Sequence, residues 1–149
     1  MSFRRNGWFR RLGVVAVVAA AGTTLAAVPA SAADLGSWTR STTGAKGSGK
    51  FVTENGYIRN RIAVEDTAAD GHCVYARTQL QGFIGAVWIT GETFQSRICG
   101  RGSSIHQVVS KNIDLFTGAS RIRGTVKVCR EDGGPDTCSD IFVSEYAPR

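Results

Sequence analysis

The chain has 149 residues and a formal net charge of +6, from 18 basic and 12 acidic side chains. Arg4, Arg5, Arg10 and Arg11 all precede the first acid, Asp34, in a stretch that reads as a leader. Setting those four aside leaves 14 basic residues against 12 acidic, a net charge of +2, so the overall basicity does not argue for nucleic-acid binding.

The leader has three parts. The arginines form a basic start, LGVVAVVAAAGTTLAAV (Leu12 to Val28) is an apolar run, and Pro29-Ala30-Ser31-Ala32 supplies the small residues of a cleavage site. This is the pattern of a secretory signal peptide over 1–32, with cleavage expected after Ala32. An uncleaved membrane anchor fits less well. The run falls short of the roughly 20 apolar residues a spanning helix needs, and Gly22, Thr23 and Thr24 interrupt it. Arg4-Arg5 is followed by Asn6-Gly7-Trp8, a poor twin-arginine signal. No cysteine stands at the cleavage point to carry a lipid, and no second apolar span follows. The expectation is a secreted, extracellular protein with no transmembrane segment in its mature chain.

Residues 33–49, ADLGSWTRSTTGAKGSG, are dominated by Gly, Ser and Thr and read as a flexible N-terminal arm, pinned by Trp38. Within it GAKGSGK (Gly44 to Lys50) has the spacing of a phosphate-binding loop. Phe51 stands where a Ser or Thr should meet magnesium, and no apolar strand precedes it, so chance spacing in a Gly-rich stretch is the better account.

From Lys50 on, the pattern has a period of two, punctuated by glycines. Ile58, Ile62 and Val64 alternate with Tyr57, Arg59, Arg61 and Ala63. Val74, Ala76 and Leu80 alternate with Tyr75, Arg77 and Gln79. Phe94, Ser96 and Ile98 oppose Gln95 and Arg97, and Ile122, Gly124, Val126 and Val128 oppose Arg121, Arg123, Thr125 and Lys127. Ile141 and Val143 oppose Asp140 and Phe142. Such alternation marks strands with one buried and one wet face. Ile84–Thr90 is more continuously apolar and suggests a central strand, and Ile105–Ser110 is a weaker candidate. About seven or eight short strands and no helical periodicity predict one all-β domain over 50–149, an antiparallel β-sandwich, with a small β-barrel as the alternative.

Four cysteines, Cys73, Cys99, Cys129 and Cys138, lie in the expected mature chain, and an even count in a small exported domain points to disulfides. Of the three pairings, sequence proximity favours Cys73 with Cys99 and Cys129 with Cys138. Strand parity puts all four on the polar faces of their strands, which suits cross-strand staples. Eight residues separate Cys129 from Cys138, too wide for a C-x-x-C redox pair or an ordinary zinc knuckle, and EDGGPDT between them reads as the tip of a stapled hairpin. Glu131, Asp132 and Asp136 at that tip could hold calcium, although they lack the regular alternation of a calcium loop.

Catalytic motifs are absent. His72 and His106 are the only histidines, and His106 has Ser103 and Ser104 nearby, with Asp70 or Asp114 as conceivable acids. No G-x-S-x-G elbow or H-E-x-x-H helix occurs. Glu54, Glu65, Asp66 and Glu92 offer no pair at a telling separation. No cofactor or metal site is indicated. Arg59, Arg61, Arg77, Arg97, Arg121, Arg123 and Lys127 occupy polar strand faces. If several share one sheet, they form a basic face suited to acidic polysaccharide, nucleic acid or cell-wall polymer. Trp38, Tyr57, Tyr75 and Trp88 are the aromatic candidates for stacking on sugar rings, with Trp88, inside AVWIT, read as core and Trp38 as the freer residue.

At DGHCVYAR (Asp70 to Arg77) and VKVCREDGGPDTC (Val126 to Cys138) the chain resembles small secreted, mostly uncharacterised two-disulfide β-domain proteins of actinomycete bacteria. The resemblance implies export and the local cysteine pairing, and it brings no catalytic residues. Secreted protease inhibitors of those bacteria share the size and cysteine count, but no inhibitor-loop signature is present here. Two functional readings follow. The first is a non-enzymatic extracellular binding or interaction module, with a cell-wall or acidic polymer or another secreted protein as partner. The second is a small secreted hydrolase or protease inhibitor.

Overall fold

A computed structural model describes residues 32–149; the expected leader lies outside them apart from its last residue, Ala32. The chain runs through ten strands: β1 (Ala33–Thr42), β2 (Ala45–Glu54), β3 (Tyr57–Asp66), β4 (Cys73–Ile84), β5 (Val87–Cys99), β6 (Ser104–Asn112), β7 (Arg121–Arg130), β8 (Thr137–Cys138), β9 (Phe142–Val143) and β10 (Ala147–Pro148). All pairings are antiparallel. One sheet has the order β1-β2-β3-β6. The other has the order β10-β7-β4-β5, with β8 and β9 also laid along β7. The two sheets pack face to face as an antiparallel sandwich and do not close into a barrel. No helix among the described residues is long and apolar enough to cross a membrane.

The period-two rows make the core. Ile58, Ile62 and Val64 of β3 face Val74, Ala76 and Leu80 of β4 and Ile122, Val126 and Val128 of β7, and all are buried. Burying an aliphatic side chain of this kind is worth about 1.5–3 kcal/mol. Phe51 of β2 reaches across to Gly124 of β7, where a Cβ would lie 2.0 Å from its ring. That glycine is required for the two sheets to approach.

Three expectations are corrected. In the last alternating row Ile141 and Val143 are the exposed residues, while Phe142 packs inward against Phe51. Residues 33–49 are not a loose arm: they form β1 and the first half of β2, so the domain begins at residue 33 rather than 50. Their glycines seat an aromatic ring. Trp38 lies against Gly47 and Gly49, where a Cβ would approach the indole to 3.3 and 2.8 Å. Glycine in a strand interior often marks such close packing rather than flexibility. Trp38 is consequently buried, at 3% exposure, and its Nε1 donates to Asn60 Oδ1 at 2.9 Å, while Asn60 Nδ2 donates to Thr78 Oγ1 at 2.9 Å. The pair of bonds links β1, β3 and β4 and so ties one sheet to the other. Thirdly, Ile84–Thr90 is not a central strand. It contains the two-residue turn at Gly85-Ala86, with Gly85 at φ 64°, and the start of β5, which is an edge strand.

Both disulfides form as the local pairing predicts, Cys73–Cys99 and Cys129–Cys138. Each joins directly opposed residues of neighbouring strands, with Cα separations of 4.2 and 4.0 Å, on the outer face of the six-stranded sheet.

Candidate ligand-binding face

The register of β5, β4 and β7 sets the outer face of the six-stranded sheet in rows. Tyr75 lies between Arg97 and Cys129, and Arg77 between Gln95 and Lys127. Gln79 lies between Thr93 and Thr125, Gln81 between Thr90 and Arg123, and Phe83 between Trp88 and Arg121. Five of the seven expected basic residues, Arg77, Arg97, Arg121, Arg123 and Lys127, thus share one surface. Arg59 and Arg61 do not: they sit on the outer face of the other sheet, paired with Glu54 at 2.9 and 3.1 Å.

At one end of the face, rings and guanidinium groups alternate. Arg121 is held between Phe83 and Tyr146, its Cζ 4.5 and 4.7 Å from the two ring centroids. Arg123 lies 4.0 Å over Trp88, and its Nε donates to Gln81 Oε1 at 2.9 Å. Neither arginine has a carboxylate partner within ion-pair distance among the described residues. Partial burial holds the Arg123 guanidinium below its usual pKa. Trp88, expected in the core, lies on this outer face because its register partner on β4 is Phe83, which points outward, while Trp38, expected to be free, is the buried one.

At the other end the stapled hairpin folds over the sheet. Glu131 accepts from Arg97 Nε at 2.6 Å and Nη2 at 2.8 Å, which holds the carboxyl below and the guanidinium above their ordinary pKa values. Asp132 accepts from Thr137 and from Arg130, and both keep its carboxyl below the usual range. Tyr75 is buried, and its hydroxyl donates to Asp136 at 2.5 Å. Burial first, and then that bond, push its pKa up to about 12. The three acids of the turn are therefore each bound to protein groups. Among the described residues no three His, Cys, Asp or Glu side chains gather as a metal site.

Between the two ends lies a cavity of about 130 Å³ lined by Arg77, Gln79, Thr125, Val126, Lys127 and Ile141. Thr125 Oγ1 donates to Gln79 Oε1 at 3.4 Å across its floor.

The other catalytic candidates do not assemble. His72 follows a turn in which Asp70 accepts from the His72 backbone N–H. His106 lies on the outer face of the four-stranded sheet, beside shallow depressions that also touch Ser48, Glu65 and Ser104. No hydrogen bond joins either imidazole to a serine or a carboxylate among the described residues. Asp66 is buried but structural: its carboxylate accepts from the backbone N–H groups of Ala68 and Gly100. Glu92 is taken up by Lys111 at 3.1 Å.

Compared with protein-family models, curated proteins and solved structures, the chain matches none.

Sequence reasoning identified the five cationic residues of the face but missed Phe83, Gln81 and Tyr146. Alternation places Gln81 on that face, yet the face's importance depends on strands lying side by side whose paired residues, such as Gln81 and Arg123, are 42 positions apart. Tyr146 follows β9 in a segment with no period of its own.

Proposed function

We propose that the protein is a non-enzymatic extracellular binding module that holds an acidic polysaccharide along the outer face of its six-stranded sheet. The observation that carries this reading is the concentration of five cationic side chains on one surface, two of them stacked on rings, Arg121 on the exposed Tyr146 and Arg123 on the half-buried Trp88. Between them runs a neutral band of Gln79, Gln81, Thr90, Thr93, Gln95 and Thr125. Amides and hydroxyls both donate and accept, as sugar hydroxyls require, and aromatic rings offer apolar planes to sugar faces. From the Arg77 row to the Phe83 row is six residues along β4, about 20 Å at strand rise, long enough for several sugar units. A face this mixed suits a glycan bearing intermittent charge better than the dense charge of a nucleic acid. Two disulfides are compatible with an oxidising compartment and hence with export.

The test is retention of the disulfide-intact protein on immobilised heparin, polygalacturonate and chitin. Retention on the two acidic resins, weakening with salt and lost in the Arg121→Gln/Arg123→Gln variant, is expected. Equal retention of wild type and variant, or none on either acidic resin at low salt, overturns the reading. Turnover of a glycan or peptide library that disappears in His106→Ala would establish the hydrolase instead.

A further inference from the structure

We infer that the cavity between Arg77 and Lys127 is a subsite for one compact oxyanion, a carboxylate or sulfate ester carried by the polymer. The inference rests on the binding reading above and deepens it. Arg77 and Lys127 are direct register partners on adjacent strands. Opposed side chains of an antiparallel pair have Cβ atoms only about 4.5–5.5 Å apart, and like charges placed there repel. Stable sheets normally relieve such a pair with a neighbouring acid. Neither residue has one within ion-pair distance among the described residues.

The carboxylates that the fold brings near are committed elsewhere. Glu131 holds Arg97, Asp132 holds Arg130 and Thr137, and Asp136 accepts from Tyr75. Asp140, adjacent to Ile141, lines a separate depression with Thr39, Arg40 and Ser139. Arg77 spends its guanidinium plane on the Tyr75 ring, 5.5 Å from the centroid, and its one hydrogen bond, to the Tyr75 hydroxyl, is long at 3.5 Å.

The lining completes the chemistry. Gln79 accepts from Thr125 through its amide oxygen, which leaves the amide N–H groups as its free polar function. The cavity therefore offers a guanidinium, an ammonium and an amide donor, and no carboxylate. Ile141 supplies an apolar wall, which reduces screening of the two cations, while Val126, whose side chain lies in the core, contributes only backbone. An anion seated between them would be drawn to both charges and would cancel their mutual repulsion.

Backbone amide NMR titration of the disulfide-intact protein tests this, with three probes: inorganic sulfate, an oligogalacturonate and a heparin-derived tetrasaccharide. Shifts centred on Arg77, Gln79, Thr125 and Lys127 are expected, together with an affinity loss of about tenfold in Lys127→Gln for the charged oligosaccharides. A response to oligogalacturonate alone assigns the group as a carboxylate. A response to sulfate and the heparin fragment alone assigns it as a sulfate ester. If the polymers bind and Arg123→Gln weakens them while Lys127→Gln does not, the subsite is wrong and the binding face stands. If inorganic sulfate shifts these four residues but no polymer binds, the subsite stands and the polysaccharide reading falls. Absence of shifts at these residues with every probe overturns the subsite without recourse to any variant.

Discussion

Asn60 and Ser96 are both fully buried polar residues on inward strand faces, and they are not equivalent. Asn60 accepts from the Trp38 indole and donates to Thr78, so it satisfies two other buried groups as well as itself. Ser96 Oγ has no hydrogen-bond partner among the described residues. Removing a partner strands a buried group at a cost of about 1–3 kcal/mol, whereas deleting a group that was never satisfied is close to neutral or favourable. Asn60→Ala should therefore destabilise by about 2–4 kcal/mol, and Ser96→Ala should be neutral or stabilise by up to about 1 kcal/mol, both read from urea unfolding midpoints at unchanged m-value. Asn60 falls in the inward row whose positions Ile58, Ile62 and Val64 were legible from alternation. Its partner Trp38 was not, because a stretch rich in Gly, Ser and Thr has the composition of a loop. Only the packing reveals that Gly47 and Gly49 are seats for a ring. Trp88 misleads in the opposite way: an apolar neighbourhood predicts burial, but its register opposite Phe83 turns it to the outer face.

At the scale of elements, the β7–β8 hairpin is the most distinctive unit. Its disulfide closes a loop with a sequence separation of 9, worth roughly 2.5–3 kcal/mol in the chain-entropy model, and its tip covers Tyr75 through Asp136. The hydroxyl titrates near 10 in an unfolded chain and at about 12 here. A raised folded-state pKa means the contribution to stability is complete below about pH 10 and is lost as pH rises through 12. On the acid side Glu131 and Asp132 are depressed, so their contribution is present above about pH 4 and is lost as pH falls below it. A spectrophotometric phenolate titration should show the Tyr75 transition lagging towards 12. In Asp136→Ala that transition should move down; no movement would mean that the hairpin does not cover the ring in solution. Cysteine spacing and the Gly133-Gly134-Pro135 turn made this hairpin readable in advance. Its fold-back on Tyr75 depends on residues 61 positions apart, which no local pattern encodes.

For the whole molecule, the sandwich class followed from the period of two, but the strand order did not. After the β4–β5 hairpin in one sheet, β6 returns to the other to pair with β3, and β7 comes back beside β4. Alternation specifies which face of a strand is buried and says nothing about which strand lies next to it. The domain boundary shows the same limit, and it yields a test. Leu35, Trp38 and Ala45 are all core residues, and the Leu35 carbonyl accepts from the Glu145 N–H at 2.8 Å, joining β1 to the C-terminal segment. A fragment starting at Lys50 should lack cooperative unfolding and near-ultraviolet circular dichroism, while one starting at Ala33 keeps both. Both covalent links staple the six-stranded layer, and the four-stranded layer has none. The molecule is thus lopsided in stiffness, and its reinforced side is the one that carries the arginine planes. A glycan settling there would meet, at the Tyr75 end, strands that are already covalently tied, so less of the freedom surrendered on association would be the protein's own.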